Sequence, residues 1–519
     1  MNIVDCFKAS AKRYPTQIAF EDKNRAVTYQ ELDDRTNRLA NLLLSMGLRK
    51  GDKCGVLLFS SVQCMECLIG LAKAGVITVP INFRFFSPEI EYIVGNSEAK
   101  ALITSSEFVP VVSESDLGFG AEKILMAGLT PEQAGTGYLD YEKELARAHA
   151  AEPQVGLLPE DVYFIGYTSG TTSFPKGAVI PHGNFIDHAL TGMLDYARIT
   201  EDHRFLLIMP LCHSNSIWFA SFMCIAGGYA YIYPSTGFDP LEVLRIIEAK
   251  KITMTSVVPT MLNLILNLNQ EELSRHGQDS LTDLLVASSP LTTTTKEGTL
   301  KFFSHAKLYE AYGSTETGLV TVLRPRFQWE KKRCIGRCGI FKEIKLLDDN
   351  GQEVPVGQPG ELYVRGRGVL LREYYNNPQA TAEAYRRDFV TVGDIAKQDE
   401  DGFYYLVDRK KDMIISGGEN VSPAEVENCL HQHPSVLEAA VVGLPDEKWG
   451  EVVTAVVVLK QGQVVRESEI VEHCRKRLAG FKTPKQVYFV DELAKTATQK
   501  ISRRLVKQSV ASDASLYND

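Results

Sequence analysis

The chain alternates strand-like and helix-like segments twice over. In the first run GVLLF (55–59) reads as a strand, SVQCMECLIGLAKAG (61–75) as a helix and VITVPI (76–81) as a strand, and a helix from Pro88 and a strand at AKALIT (99–104) complete it. In the second, RFLLIMP (204–210), YAYIYP (229–234) and ITMTSVVP (252–259) are the strands, with helices SNSIWFASFMCIAGG (214–228) and DPLEVLRIIEAKK (239–251) between them. A βαβαβ pattern commits a chain to a parallel sheet covered by helices on its faces. Two such units in tandem imply two packed, layered α/β subdomains with a crevice beyond the strand ends, where ligands bind. At 519 residues the chain exceeds what one core organises and asks for at least two domains.

Between the two units lies Tyr167-Thr168-Ser169-Gly170-Thr171-Thr172-Ser173-Phe174-Pro175-Lys176-Gly177. An apolar run from Val162 to Ile165 leads into it as a strand, and a helix-like stretch follows from Asn184. Gly170 and Gly177 allow backbone conformations closed to other residues, so that successive N–H groups can turn towards one anion. The hydroxyls add donors and Lys176 adds a charge, which makes a polyphosphate cradle. A Ser/Thr-rich surface loop is the plainer alternative. A Walker loop would place Ser or Thr after the lysine; Gly177 stands there, which disfavours an ordinary P-loop ATPase or kinase.

Composition narrows the function classes. A hydrophobic content of 44% and a charged content of 23% are those of a soluble globular protein. A net charge of −9 argues against nucleic acid as a general partner, because phosphate contacts need a basic face. No apolar run approaches the ~20 residues that span a bilayer. The opening MNIVDCFKASAKRYPTQ reads as an amphipathic helix and has no signal-peptide core, so a cytoplasmic address is expected. Thr28 to Gly47 is a second amphipathic helix, with Thr28 and Glu31 spaced as a capping box. Buried free thiols are expected for Cys64 and Cys67, in a helical context, and for Cys334 and Cys338; a four-cysteine zinc site is the alternative.

From about Arg326, short strand-like pieces alternate with turns such as DDNG, VGQPG and DEDG, a small antiparallel region. After Asp412 a compact α+β unit is expected: a helix at SPAEVENCLHQH, strands at VLEAAVVG and EVVTAVVVL, a helix at SEIVEHCRKRLAG and a strand at QVYFV. The boundary falls within Asp408–Asp412, and the closing VASDASLYND reads as frayed.

YTSGTTSFPKG resembles the phosphate loop of the adenylate-forming superfamily, which holds acyl-CoA synthetases, aryl-CoA ligases, luciferases and peptide-synthetase adenylation domains. Later motifs extend the resemblance over nearly the whole chain. It implies that Thr168, Ser169, Gly170, Thr171, Thr172 and Lys176 hold the phosphates of ATP. In Tyr309-Glu310-Ala311-Tyr312-Gly313-Ser314-Thr315-Glu316, Gly313 permits a tight turn that leaves an aromatic, a hydroxyl and a carboxylate close together. Mg²⁺ needs oxygen ligands, and the resemblance assigns it Glu316 and Thr168. It places Glu310, Ala311, Tyr312, Gly313 and Thr315 around the nucleotide, with the aromatic lining the adenine pocket. A carboxylate suits a ribose diol because it accepts from both hydroxyls; the resemblance gives that role to Asp394, with Arg409. Here Val392 replaces a usual threonine.

In DRKKDMIISGGENVSPAEVE, the resemblance makes Lys411 the hinge between domains, and Gly417 and Gly418 the lining of a CoA pantetheine tunnel. Lys500 matches the lysine that bridges the acyl carboxylate and the α-phosphate, where losing one donor typically costs ~10²–10³ in rate. Ala494 and Gln499 depart from the usual proline and glycine around it. His213 matches a residue at the acyl-pocket entrance. Trp218, Ser288, Tyr312 and Gly313 complete the expected acid pocket, with Ser288 standing among residues usually smaller. Between Arg475 and Lys507 stand ten Lys or Arg against two acidic residues. Most read as a solvated face, and some could receive CoA phosphates.

The resulting expectation is an ATP-dependent acid–CoA ligase with Lys500, Thr168, Glu316 and Lys176 as its catalytic set. Its AMP-binding domain spans 1–408, its hinge 409–411 and a small mobile α+β domain 412–519. DMIISGGENV with GLPDEKWGE looks most like bacterial fatty-acyl-CoA synthetases, so a fatty or other hydrophobic acid is the expected substrate. Aryl-acid and carnitine/crotonobetaine-type ligases stay close. A carrier-protein loader, a nucleotide-binding pseudoenzyme and a phosphotransferase are the rival classes. The expected partners are ATP, Mg²⁺, CoA and a small carboxylic acid; the oligomeric state, homodimer included, stays open.

Overall fold

The computed structural model describes residues 1–133, 135–168, 175–196, 198–269, 271, 273, 277–416, 419–446, 449–496 and 500–512. The first tandem unit builds an eight-stranded sheet in the spatial order Glu373–Tyr374, Lys176–Pro181, Val162–Thr168, Ile77–Pro80, Lys53–Leu57, Ala99–Ser105, Ile124–Ala127, Leu139–Asp140. It is parallel from Val162–Thr168 onward and antiparallel at the other edge. The second unit supplies Arg204–Leu207, Tyr229–Ile232, Met254–Val257, Asp283–Val286 and Lys307–Ser314 to a nine-stranded sheet. Strand Ile18–Glu21, from the start of the chain, lies in that second sheet, parallel to Tyr229–Ile232 with Phe20 opposite Ala230. One apolar core runs across both sheets, from Phe20 and Leu39 through Val56 and Ile103 to Phe205 and Leu285.

Local chemistry sets the helices. Thr28 Oγ1 accepts from the Glu31 N–H at 3.2 Å while Glu31 accepts from the Thr28 N–H at 2.8 Å, so the capping box starts Tyr29–Ser45. Asn2 and Asp5 do the same for Ile3–Arg13. All ten cysteines are free thiols, and Cys64, Cys67 and Cys334 are buried. Among the described residues no helix is long and apolar enough to cross a membrane.

Three local expectations change. The phosphate segment is followed by a strand, Lys176–Pro181, before the helix His182–Asp195. It therefore joins an antiparallel hairpin in which Thr168 faces Lys176, and GAVIP is buried on a sheet instead of leading directly into a helix. Gly313 lies inside the strand Lys307–Ser314, and the turn comes at 314–317. A Cβ on Gly313 would sit 2.1 Å from the Gly318 carbonyl oxygen, so close strand approach, not turn geometry, excludes a side chain there. The chain end is helical to Ser512, in Arg503–Ser512, with Val510 buried in the core; residues 513–519 lie outside the described residues.

A six-stranded antiparallel sheet containing Asp394–Gln398 and Tyr404–Arg409 follows, then the small lobe. There a long hairpin, Val436–Asp446 with Gly450–Leu459, carries the helices Pro423–Leu430, Glu467–Arg475 and Arg503–Ser512. Asp408 is buried where the lobes meet and accepts from Ser422 Oγ at 3.1 Å, the Ala424 N–H at 3.0 Å and Arg503 Nη1 at 2.7 Å. Arg503 also pairs with both Glu427 oxygens, at 2.9 and 2.7 Å.

Candidate active site

The two sheets meet at Thr168. Its hydroxyl donates to Glu316 Oε1 at 3.3 Å, joining the end of a first-sheet strand to the turn after a second-sheet strand. Alongside, Ser214 Oγ and Thr315 Oγ1 are 2.8 Å apart, which brings the start of the Ser214–Ala226 helix to the same turn. Ser314 and Thr317 brace that turn through mutual hydroxyl and N–H contacts of 3.0–3.1 Å. The site therefore lies at the seam between the tandem units. Ser169, Gly170, Thr171 and Thr172 lie outside the described residues, as do Gly417, Gly418 and Gln499.

Glu316 is 6% exposed and also accepts from the Tyr374 hydroxyl at 2.8 Å. Lys176 Nζ lies 5.4 Å from the centre of the same Tyr374 ring, so one aromatic joins the loop lysine to the site carboxylate. Sequence reasoning missed Tyr374. It stands in a two-residue edge strand 58 positions after Glu316, and no spacing or motif links the two.

Asp394 opens its strand directly opposite Arg409, with Arg409 Nε 3.2 Å away. Tyr312 donates its hydroxyl to Asp394 Oδ2 at 2.6 Å. Burial raises the Asp394 pKa against the opposing pull of Arg409 and Tyr312. Gly393 takes a left-handed φ of +79° and its N–H donates to Thr391 Oγ1 at 3.0 Å, so the neighbouring hydroxyl is used within this turn.

The Thr496 N–H donates to the Lys500 carbonyl at 2.7 Å. Arg84, from the large lobe, donates to the Thr496 carbonyl at 3.3 Å. Burial, then the charge of Arg409, lowers the Lys500 pKa to about 8, with Asp394 opposing. Among the described residues Lys500 forms no ion pair. Its ammonium thus feels both members of the Asp394–Arg409 pair, Asp394 favouring its charge and Arg409 opposing it. Ala494 packs against the small-lobe core, and Lys411 follows the Arg409 strand at the surface.

The acid-pocket residues divide. His213 precedes the Ser214–Ala226 helix with Nε2 buried and unpartnered among the described residues, and burial, then Lys500 and Arg84, pushes its pKa down to about 3. Trp218 is buried one turn further on. Ser288 adopts a φ of +76°, a left-handed conformation costing an L-residue about 1–2 kcal/mol. Glu310 is the exception to the cluster: its buried carboxylate pairs with Lys296, and burial raises its pKa to about 7 despite that lysine. Its side chain is committed to the Thr293–Phe302 helix, and Ala311 belongs to the central core.

Of the basic residues near the end, Arg475 and Lys476 pair with Glu472, Lys482 with Glu425, Lys495 with Glu438 and Lys507 with Glu451. Much of that charge is neutralised locally.

Residues 7–375 match the AMP-binding enzyme family, and residues 425–500 match the AMP-binding enzyme C-terminal domain. The chain is similar to the feruloyl-CoA synthase of an Amycolatopsis species, 34% identical over 505 residues, 96% of this chain and 97% of that protein. It is also similar to long-chain-fatty-acid–CoA ligase FadD13 of Mycobacterium tuberculosis, 32% identical over 488 residues, 93% of each. Among solved structures it resembles the anthranilate CoA ligase AuaEII in complex with anthranoyl-AMP, with a TM-score of 0.90, 28% identity, and coverage of 98% of this chain and 97% of that one.

Proposed function

This chain belongs to the AMP-binding enzyme family, and on that premise we propose that it is an ATP-dependent ligase joining a hydrophobic carboxylic acid to CoA through an acyl-adenylate. The acid's carboxylate attacks the α-phosphorus of ATP, forming acyl-AMP and expelling pyrophosphate. The CoA thiol then attacks the acyl carbonyl, giving the thioester and releasing AMP.

The observation carrying this reading is that the Lys500 segment of the small lobe is tied to the large lobe by Arg84 on Thr496, with Lys500 under the charges of Asp394 and Arg409 and in no ion pair among the described residues. An ammonium held that way stabilises negative charge that develops as the α-phosphorus is attacked. Asp394, buttressed by Tyr312, accepts from the ribose hydroxyls, and Arg409 fixes the carboxylate's orientation. Thr168 and Lys176 flank the phosphate segment, whose remaining residues Ser169 to Thr172 complete the proposed cradle. The hydroxyl of Thr168 and the carboxylate of Glu316 offer hard oxygens 3.3 Å apart and fit Mg²⁺, which when bound neutralises phosphate charge. His213 guards the acid entrance.

For the second step, the small lobe turns about Lys411, withdrawing Lys500 and bringing Gly417 and Gly418 to the site, an exchange that lets one chain hold two exclusive active faces. Aryl and alkyl acids both fall within the proposed class, since relatives are named for each.

The test is a panel of carboxylic acids scored by CoA-dependent AMP release. AMP as product with CoA as acceptor is expected. Release of ADP, or activity only with a phosphopantetheinylated carrier protein, overturns the reading.

A further inference from the structure

Beneath the Glu316 turn, two helices carry buried polar atoms without a hydrogen-bond partner among the described residues. Ser214, Trp218 and Phe222 recur at four-residue spacing along one face of the Ser214–Ala226 helix. His188, on the His182–Asp195 helix, meets the Trp218 ring edge-on at 4.5 Å and Phe222 at 5.6 Å. Trp218 is 5% exposed and His188 fully buried. Yet Trp218 Nε1, His188 Nδ1 and His188 Nε2 all lack a hydrogen-bond partner among the described residues.

Burial drives the imidazole pKa well below its usual value, so the ring is neutral and offers one N–H and one lone pair. Trp218 offers a donor only. Folded proteins leave few such atoms unsatisfied, and three around one ring pair point to a missing polar group. The place connects to the site. Ser214 is tied to Thr315, and the helical rise puts Trp218 about 6 Å further along the axis. Gly318, two residues after Glu316, comes so near that a Cβ there would lie 2.7 Å from His188 Nδ1.

We infer that the distal end of the acid reaches Trp218 and His188, and that the acid is compact and carries a hydrogen-bonding substituent such as a hydroxyl or amine. The rise of about 6 Å from Ser214 to Trp218 is close to the length of a substituted ring, whereas an alkyl end offers the three nitrogen atoms no partner. The inference rests on the ligase reading above and narrows its substrate.

The test uses the full-length enzyme with ATP, Mg²⁺ and CoA and compares matched acids: benzoate with 4-hydroxybenzoate, cinnamate with 4-hydroxycinnamate, and octanoate with dodecanoate. The expected result is a kcat/KM for the better hydroxylated acid at least about tenfold above its unsubstituted partner and above both alkyl acids, because a site built to bond a substrate hydroxyl rejects its analogue. Trp218→Phe keeps an aromatic ring but removes the N–H, and should lower that hydroxyl preference about tenfold; His188→Gln, which keeps hydrogen-bonding capacity, should lower it less. An unchanged preference in folded Trp218→Phe overturns the inference. So does an alkyl acid as best substrate, with the ligase reading left standing. No AMP from any acid overturns both. If Trp218→Phe fails to fold, the wild-type ratio decides alone.

Discussion

The Tyr374 hydroxyl donates to Glu316 Oε1 across 2.8 Å, tying a two-residue edge strand to the turn that bears the site's carboxylate. Glu316 is thereby held from two sides, by Thr168 and by Tyr374. Tyr374→Phe leaves the ring beside Lys176 but removes the shorter of the two hydrogen bonds to Oε1, leaving only the one from Thr168. Pyrophosphate exchange should fall about tenfold, in line with a lost hydrogen bond to a charged group, and the Mg²⁺ concentration at half-maximal rate should rise. Glu316→Gln should cost more. A Tyr374→Phe enzyme with an unaltered Mg²⁺ titration would show that Tyr374 only packs.

Lys500→Ala should slow acyl-AMP formation by ~10²–10³. Thioester formation from chemically supplied acyl-AMP should stay within a few-fold of wild type, because the proposed exchange withdraws Lys500 before that step. Equal losses in both half-reactions would refute this division.

The pH profile follows from the same lysine. Burial and Arg409 lower its pKa to about 8, so the charged form proposed to stabilise the transition state prevails below that pH and is lost above it. The adenylation kcat/KM for ATP, which reports the free enzyme, should therefore fall with a midpoint near pH 8. Lys500→Arg, with a guanidinium charged throughout this range, should be slower but flat across it. A wild-type profile level to pH 10 contradicts the assignment.

Arg503 bonds Asp408 on one lobe and Glu427 on the other, and all three side chains are largely buried. Arg503→Met strands two carboxylates, and removing one partner of such a network typically costs about 3–5 kcal/mol. Urea denaturation should show that loss, and limited proteolysis should cut sooner around 409–411. Unchanged stability and cleavage would mean that the network is not what seats the small lobe.

Sequence made the skeleton of the site visible because its chemistry is local. The strand into Thr168, the Glu316 turn and the Asp394 and Arg409 positions are each carried by a short run of residues with its own logic. What stayed hidden is contact between distant segments. Tyr374 reaches Glu316 only because its strand pairs with Lys176–Pro181, and that strand was itself obscured by the glycine and lysine at its start. Lys296 claims Glu310 from a helix with no motif. His188 lies in an apolar helix where a lone histidine gives no sign that both ring nitrogens lack a partner. The Thr28–Glu31 capping box and the central small-lobe strands, being near-neighbour effects, were legible to within a few residues, whereas the closing helix Arg503–Ser512 was not.

The pairing of Phe20 with Ala230 constrains how this enzyme can breathe. The chain lays its opening strand into the far sheet before it builds the near one, so the two are sewn together and share one oily interior. Prising them apart like a clamshell would tear a ladder and wet a core. On the proposed exchange, traffic of substrates and products is left to the lobe that carries Lys500, which holds the body through polar handholds such as Arg84 on Thr496 and Arg503 on Asp408.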